Sequence, residues 1–422
     1  MKKIGIVLIT LLLVLAGCGS KETPTETSDK IVIWAWDDSF NIAAAKVAKE
    51  YYKGDKEVEI VTMSQDDIVQ KMNTSLSSNS VEGLPNIVLI EDYKIQGNLK
   101  SFPDAFADLN SIVDDSKFSD YKLAVTKKDG INYGIPFDSG VVALFYRIDL
   151  FEEAGYTPED LVDITWEEYT EMGKVVEEKT GVKLLTLDPS DIGQIRMMMQ
   201  TTGTWYVHND EEVYIKDNKA LIDSIEVYKN MLDQGVSKAV SNWDEFVGAF
   251  NNSEVSSVVT GAWIASSIKN AEDQSGKWGV APAPRLGNNA DSVNRSNIGG
   301  SSWYVLDKVA GKEEAIKFLG ETFASNLDLM NDLAAEINLV STITEAIETE
   351  NYSKEDAFFN NELVMQKFSQ WTSEIPGVNF GYNTYLIEEV LQTHLMDYFN
   401  GTKDLDKVLE DAQAEAESAI VR

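Results

Sequence analysis

The chain has 422 residues, 43% hydrophobic and 25% charged, and its 70 Asp+Glu against 36 Lys+Arg give a formal net charge of -34. That balance argues against nucleic acid or anionic lipid headgroups as ligands, since either needs a basic patch, and favours a neutral or cationic one. A single cysteine leaves no disulfide, so stability must come from a large packed core, for which the length provides two to three domains.

Lys2 and Lys3 precede an apolar run over residues 4–15, interrupted only by Gly5 and Thr10, and a small-residue cleavage site follows. This is a secretory signal over residues 1–17, too short to span a bilayer comfortably. Cys18, directly after Leu15-Ala16-Gly17, resembles the cysteine of a bacterial lipobox. The resemblance implies a diacylated mature N-terminus, anchored on the extracellular side of the cell membrane. Residues 19–30 contain no aliphatic side chain and read as a flexible spacer.

Folding starts at Ile31. Residues 31–36 form an apolar, β-favouring run that ends at Asp37-Asp38, and Phe40, Ala43, Ala44, Val47, Ala48 and Tyr51 follow at helical spacing, with Asp38 or Ser39 as cap. Residues 58–63 read as a second strand, Ser64 and Asp67 as a near capping box for a helix carrying Ile68, Met72 and Leu76, and residues 86–90 as a third strand. A β-α-β-α-β run implies parallel strands. Trp36-Asp37-Asp38, Ser64-Gln65-Asp66 and Glu91-Asp92-Tyr93 then gather at the carboxyl rim, where open α/β sheets bind ligands.

Residues 129–137 read as a hairpin leading through Asp138-Ser139-Gly140 into a strand over residues 141–146. A second α/β unit follows: a helix closed by Gly155, a Thr165/Glu168 capping box, a strand at 183–187, and a helix at 192–202 with Arg196 and three methionines. Further amphipathic helices are expected at 221–232 and 243–250, the latter with Trp243, Phe246, Val247 and Phe250 on one face, before a strand at 255–259. After a Pro- and Asn-rich connection, Gly299-Gly300-Ser301-Ser302-Trp303 opens another strand, and the rest is helical in pattern. There is no internal repeat and no separating linker.

The sequence contains no phosphate loop, calcium loop, nucleophile elbow or paired Cys/His spacing, and only two histidines, so no cofactor or metal is expected. The nine tryptophans are an unusual load, and several stand beside acidic or small polar residues at strand ends: Trp36-Asp37, Trp263 after Gly261-Ala262, and Trp303 after Ser301-Ser302. Carbohydrate recognition needs both partners: the C–H face of a sugar ring lies on an aromatic ring while carboxylates accept hydrogen bonds from its hydroxyls. Trp34, Trp166 and Trp278 read as core. A surface glycosidase, which needs two spaced carboxylates, and a polyamine binder are the competing readings.

The lipobox, IVIWAWDD (31–38), NIVLIED (86–92), YGIPFDSGVVALFYRIDLFEEAG (133–155), TWEEY (165–169), VVTGAWI (258–264), APAPR and GGSSWYV together resemble the family 1 extracellular solute-binding proteins of ABC importers, in wording nearest the lactose and L-arabinose type. The resemblance implies an α/β, two-lobed, type II periplasmic-binding-protein-like fold, each lobe a mostly parallel sheet flanked by helices. It implies a first lobe of residues 31–138 plus 263–307 and a second of 139–262 plus 308–422, with crossings near 138–141, 259–263 and 303–308. The cleft would be lined by Trp36, Asp37, Gln65, Asp66, Glu91, Asp92, Asp138 and Ser301, joined by Arg196, Trp205 and Trp263, and completed by Trp303 and either Trp371 or Tyr382. The implied protein is a monomeric, non-enzymatic receptor. It carries a sugar, by preference a small oligosaccharide and otherwise a monosaccharide such as L-arabinose, to the transmembrane subunits of a permease, which would meet acidic faces on the two lobes.

Overall fold

A computed structural model of the chain describes residues 28–208 and 211–420; the signal, Cys18 and most of the spacer lie outside the described residues. One sheet has Glu57–Thr62, Lys30–Ala35 and Ile87–Glu91 in parallel, with Ser301–Val305 antiparallel beside Ile87–Glu91 and Gly134–Pro136 antiparallel beside Ser301–Val305. The parallel trio follows from the two crossover helices, Asn41–Tyr51 and Gln65–Ser77, which return the chain to the same edge each time. Ile33 and Trp34, and Ile87, Val88, Leu89 and Ile90, are all buried, as strands covered on both faces require.

The second sheet is built differently. Val142–Arg147 lies between Ser257–Gly261 and Trp278–Pro282, and both pairings are antiparallel. Leu185–Leu187 and Ser237–Ala239 pair in parallel beside it, linked through a bridge between Lys183 and Val255. The fold is the expected two-lobed α/β one, but the second lobe is not mostly parallel. Its central strand comes straight from the hinge and is flanked by two strands that return toward the hinge.

Sheet membership also moves two segments. Trp278–Pro282, expected with the first lobe, pairs in the second sheet. Helices Lys312–Glu321 and Leu327–Ile337, expected with the second lobe, pack on the first: Tyr52 donates to Glu314 at 3.1 Å, Tyr51 bonds Asp332, and the Tyr52 and Phe318 rings meet edge-on at 5.4 Å. The caps are mixed. Thr165 and Glu168 form the full reciprocal box and Ser64 accepts from the Asp67 N–H, but helix Asn41–Tyr51 has no side-chain cap, because Asp37 turns back to Ser39 and Asp38 to Thr62. Only Lys127–Lys128 and Ile131–Asn132 form the expected hairpin; Gly134–Pro136 leaves it to extend the first sheet.

Among the described residues, three segments cross between the sheets. Residues 138–142 run beside 296–298, through the Val141–Asn297 bridge and the Ile298 N–H to Gly140 carbonyl bond of 2.8 Å, and beside 340–341, through the Asp138–Ser341 bridge and the Ser139 N–H to Val340 carbonyl bond of 3.0 Å. The expected crossings at 259–263 and 303–308 are therefore replaced by ones near 297–301 and 354–359, since Ser257–Gly261 and Ser301–Val305 are each committed to one sheet, while Asn351 still bonds Asn331 on the first lobe and Phe359 meets Phe145 on the second. Beneath the crossings lies the fully buried Lys122 ammonium, which bonds Asp92 and donates to the Ser301 carbonyl at 2.9 Å; Asp92 also accepts from Ser302, and Asp138 accepts from both the N–H and the hydroxyl of Ser301 at 2.7 Å. Gly300 passes over this cluster at φ +88°, where a Cβ would lie 2.9 Å from the Asp92 carboxylate.

Replacing Lys122 by Met strands the buried Asp92 carboxylate and should cost about 3–5 kcal/mol in urea denaturation. Burial already pushes the Asp92 carboxyl above its ordinary range, against the pull of Lys122. A carboxyl whose folded pKa exceeds its unfolded value binds protons preferentially in the native state, so acid favours folding there. The deficit of the variant should shrink as the pH falls from neutrality; a deficit that widens would contradict this account of the hinge.

Candidate functional site

Between the sheets, above the crossings, lies a cavity of about 680 Å³. That size falls within the roughly 300–1,000 Å³ of small-molecule sites. The first lobe supplies the ends of its three parallel strands: Trp36 and Asp37 after the first, Gln65 after the second, and Glu91 at the end of the third. Asp37 holds a left-handed φ of 60°, uncommon for a residue with a side chain, and is fixed there by the Ser39 N–H donating to its carboxylate at 2.9 Å. Lys94, one turn into the next helix, donates to the Gln65 amide oxygen at 3.0 Å and pairs with Glu91 at 3.2 Å. It thereby fixes which end of the Gln65 amide is the donor, and that nitrogen is buried without a protein partner.

The crossings form the floor, with Asp138 and residues 299–301 exposed to the cavity. The second lobe contributes the opposite wall. Trp263 sits in the turn after Ser257–Gly261 and donates its indole N–H to the Ile298 carbonyl at 3.1 Å, which fixes the ring. Trp243 opens helix Trp243–Asn251 and lies with its ring centre 5.9 Å from that of Trp263, at 33°. Ser266, Ser267 and Asp191 complete this side.

Seven of the thirteen residues expected at the ligand thus meet: Trp36, Asp37, Gln65, Glu91, Asp138, Trp263 and Ser301. Six do not line the cavity. Trp303 has no exposed surface; its strand is buried on both faces, and the ring stacks on Phe323 at 5.1 Å and packs on Phe137. Trp205 donates to the Thr384 hydroxyl at 2.8 Å inside the second lobe and meets Phe380 edge-on. Trp371 lies under the Arg295 guanidinium beside a separate cavity of about 350 Å³. Asp92 belongs to the Lys122 cluster, and Asp66 is exposed in the first turn of its helix. Arg196 is held by both oxygens of Glu388 at 2.7 Å and covers the Tyr93 ring at 4.9 Å. Burial is the largest single effect and opposes its charge, but Glu388 together with Tyr93, Tyr206 and Asp191 outweighs it and raises its pKa. Tyr382, the alternative to Trp371, faces Lys100 outside the cavity. Trp34, Trp166 and Trp278 are buried, as expected.

Sequence reasoning missed several lining residues, Phe40, Asp191, Ser266 and Ser267 among them, and the most consequential is Trp243. It shares a helical stripe with Phe246 and Phe250, so periodicity files it as core, yet it is 53% exposed. Its place at the first turn, beyond the end of the packed stripe, is the signal that separates it.

Residues 43–360 match the family model described as bacterial extracellular solute-binding protein. The chain is 39% identical over 394 residues to the lactose-binding protein of Rhizobium radiobacter, covering 93% of each, and 24% identical over 324 residues to the arabinooligosaccharide-binding protein of Bacillus subtilis (strain 168), covering 74% of each. In fold it is similar to the ABC transporter associated binding protein of B. animalis subsp. lactis Bl-04, solved in complex with beta-1,6-galactobiose, with a TM-score of 0.75 and 20% identity over 93% of this chain and 96% of that one.

The two tryptophan placements have opposite consequences. Trp303→Ala should destabilise the fold by about 3–5 kcal/mol, the cost of emptying a packed aromatic site, whereas Trp243→Ala should stay within about 0.5 kcal/mol of the parent. Equal losses in chemical denaturation would contradict the assignment of one ring to the core and the other to the cleft.

Proposed function

From the premise that the chain belongs to the bacterial extracellular solute-binding proteins, we propose that it captures a short oligosaccharide between its two lobes and delivers it to an ABC importer. It is a binding protein and performs no covalent chemistry. The observation that carries this reading is the facing of two unlike walls across one cavity: Trp243 and Trp263 from the second lobe, and Asp37, Gln65 and Glu91 from the first. A sugar has both surfaces, an apolar C–H face for the rings and hydroxyls that donate to carboxylates. Lactose, arabinooligosaccharide and galactobiose in the names of the similar proteins fit the same chemistry.

The lobes we propose comprise residues 31–138 with 301–353, and 142–297 with 359–420. Ligand contacts made to both walls at once exist only when the lobes approach, so binding favours the closed form by its differential affinity for it. The closed form would present a composite surface to the transmembrane subunits of the permease. The protein acts as a monomer, tethered through acylated Cys18 and the spacer to the extracellular face of the membrane, which keeps its concentration near the permease high. Among the described residues no helix is long and apolar enough to cross a membrane.

A thermal-shift panel of lactose, arabinobiose, β-1,6-galactobiose and their constituent monosaccharides tests the ligand class, since a ligand bound only by the native state raises the melting temperature with concentration over dissociation constant. Disaccharides should stabilise more than monosaccharides, and Trp263→Ala should lose about 1 kcal/mol or more of binding energy, roughly fivefold in affinity, by titration calorimetry. A panel without any binder would overturn the reading. Separately, a palmitate analogue should label the parent and not Cys18→Ala, and a variant that stays fully membrane-bound would exclude the lipid tether.

A further inference from the structure

Of the residues that line the cavity, Trp243 is 53% exposed and Asp37 and Ser39 are exposed as well, which opens this side to solvent. Behind Gln65 and Glu91 the two lobes touch in a seam of cations and aromatic rings along helix Asp92–Ser101. Lys94, which bonds both Gln65 and Glu91, lies against the Tyr385 ring at 5.2 Å, and Tyr93 lies under the Arg196 guanidinium. The Lys94 and Arg196 side chains are only 11% and 14% exposed, so this end is filled by side chains. Farther along the helix, Lys100 stands over Tyr382 at 4.4 Å, and the Tyr382 carbonyl approaches so closely that a Cβ on Gly97 would lie 2.8 Å from it.

The partners come from different lobes. Tyr93, Lys94, Gly97 and Lys100 follow the third parallel strand of the first sheet, whereas Arg196, Tyr382 and Tyr385 are built on second-lobe elements: Glu211 accepts from the Tyr382 N–H at 2.9 Å, and Glu388 grips Arg196. The seam is therefore an interlobe contact separate from the three crossings. Against it stands Gln65, a cavity-lining side chain whose amide Lys94 orients and whose covered nitrogen has no protein partner, so that a ligand oxygen closing on it would satisfy an unpaired donor.

We propose that this seam is an end wall, and that the site reads the terminus of a sugar chain: one terminal residue seats against Gln65 and Glu91 while the remainder runs outward past Trp263 and Trp243. The substrate class is then linear short oligosaccharides with one unmodified end; internal segments of a long chain, which continue in both directions, meet the wall. Tyr93, Lys94 and Tyr385 are positioning residues of that wall. This rests on the sugar-binding reading above.

The test uses whichever of lactose, arabinobiose and β-1,6-galactobiose binds best, together with derivatives altered at one end only: its alditol and methyl glycoside at the reducing end, and the sugar extended by one residue at the non-reducing end. By titration calorimetry, alteration of one end should weaken binding at least tenfold, and alteration of the other by less than threefold. In Tyr93→Ala/Tyr385→Ala the difference between the ends should fall below threefold, while Tyr93→Phe/Tyr385→Phe, which keeps the rings, should preserve it. If the double alanine variant does not fold by circular dichroism, Tyr385→Ala, at a side chain 47% exposed, carries the same test. Equal tolerance at both ends in the parent, or undiminished discrimination in the folded alanine variant, overturns the end wall and leaves sugar binding standing. No binding to any of the three disaccharides overturns the sugar reading itself, and the end wall with it.

Discussion

One buried ammonium group sets the geometry of the hinge. Lys122 has no exposed surface and lies where the third strand of the first sheet, the segment entering Ser301–Val305 and the crossing at Asp138 converge. Removing a cation and two carboxylates from water costs several kcal/mol per ion, and hydrophobic side chains of similar volume would fold at least as stably. What the ions provide is position. Asp92 can accept from Lys122 and Ser302 at once, and Asp138 from two donors of Ser301, in only one arrangement of the strands, and Gly300 is needed to let the chain pass above them. The floor of the cavity is therefore fixed while the walls belong to lobes that can move.

From that floor the cavity takes its character. Parallel strands deliver three loops to one rim, and those loops are short, so the side chains at their starts point into the space between the lobes. The second lobe needs no matching parallel trio. Its antiparallel centre carries Ser257–Gly261 back toward the hinge, and the turn that follows places Trp263 opposite the carboxylates. The cavity thereby sets Trp243 and Trp263 across from Asp37, Gln65 and Glu91, which suits a ligand with one apolar face and a polar edge better than a ligand with one kind of surface.

The order of elements in the first lobe was readable from the sequence because hydrophobic period and capping residues agree there: the apolar runs are four to six residues long and the helices between them carry a single stripe. Lobe membership was not readable. Trp278–Pro282 and the helices Lys312–Glu321 and Leu327–Ile337 have the same local pattern whichever sheet they join, and only long-range pairing assigns them. The candidate site divides along the same line. Trp36, Asp37, Gln65 and Glu91 follow from strand direction alone, whereas choosing among the tryptophans requires knowing which face of an element is covered. Trp303 stands in a strand whose every residue is buried, so alternation carries no information there. Trp243 lies on a stripe that continues past the core it packs on.

The carboxylates around the cavity invite a cationic ligand, and the choice between that and a neutral one turns on how many are free. Glu91 is paired with Lys94, Asp138 is occupied by both donors of Ser301, and Asp191 accepts the Gly193 N–H at 2.8 Å. Asp37 is bonded by the Ser39 N–H but keeps a second oxygen and its exposure. A polyamine would need several unpaired acids spaced along its length, and here the acids are largely engaged in holding the protein. In a chain of net charge -34, acidic residues near any surface are the background; the feature that departs from background is a pair of tryptophans from one lobe held over a hydrogen-bonding rim from the other. Lys94 sharpens the point. By neutralising Glu91 and orienting Gln65, it turns the deep end of the cavity from an anionic pocket into a set of directional hydrogen-bonding groups, and those recognise hydroxyls by geometry where an unpaired carboxylate would select for charge.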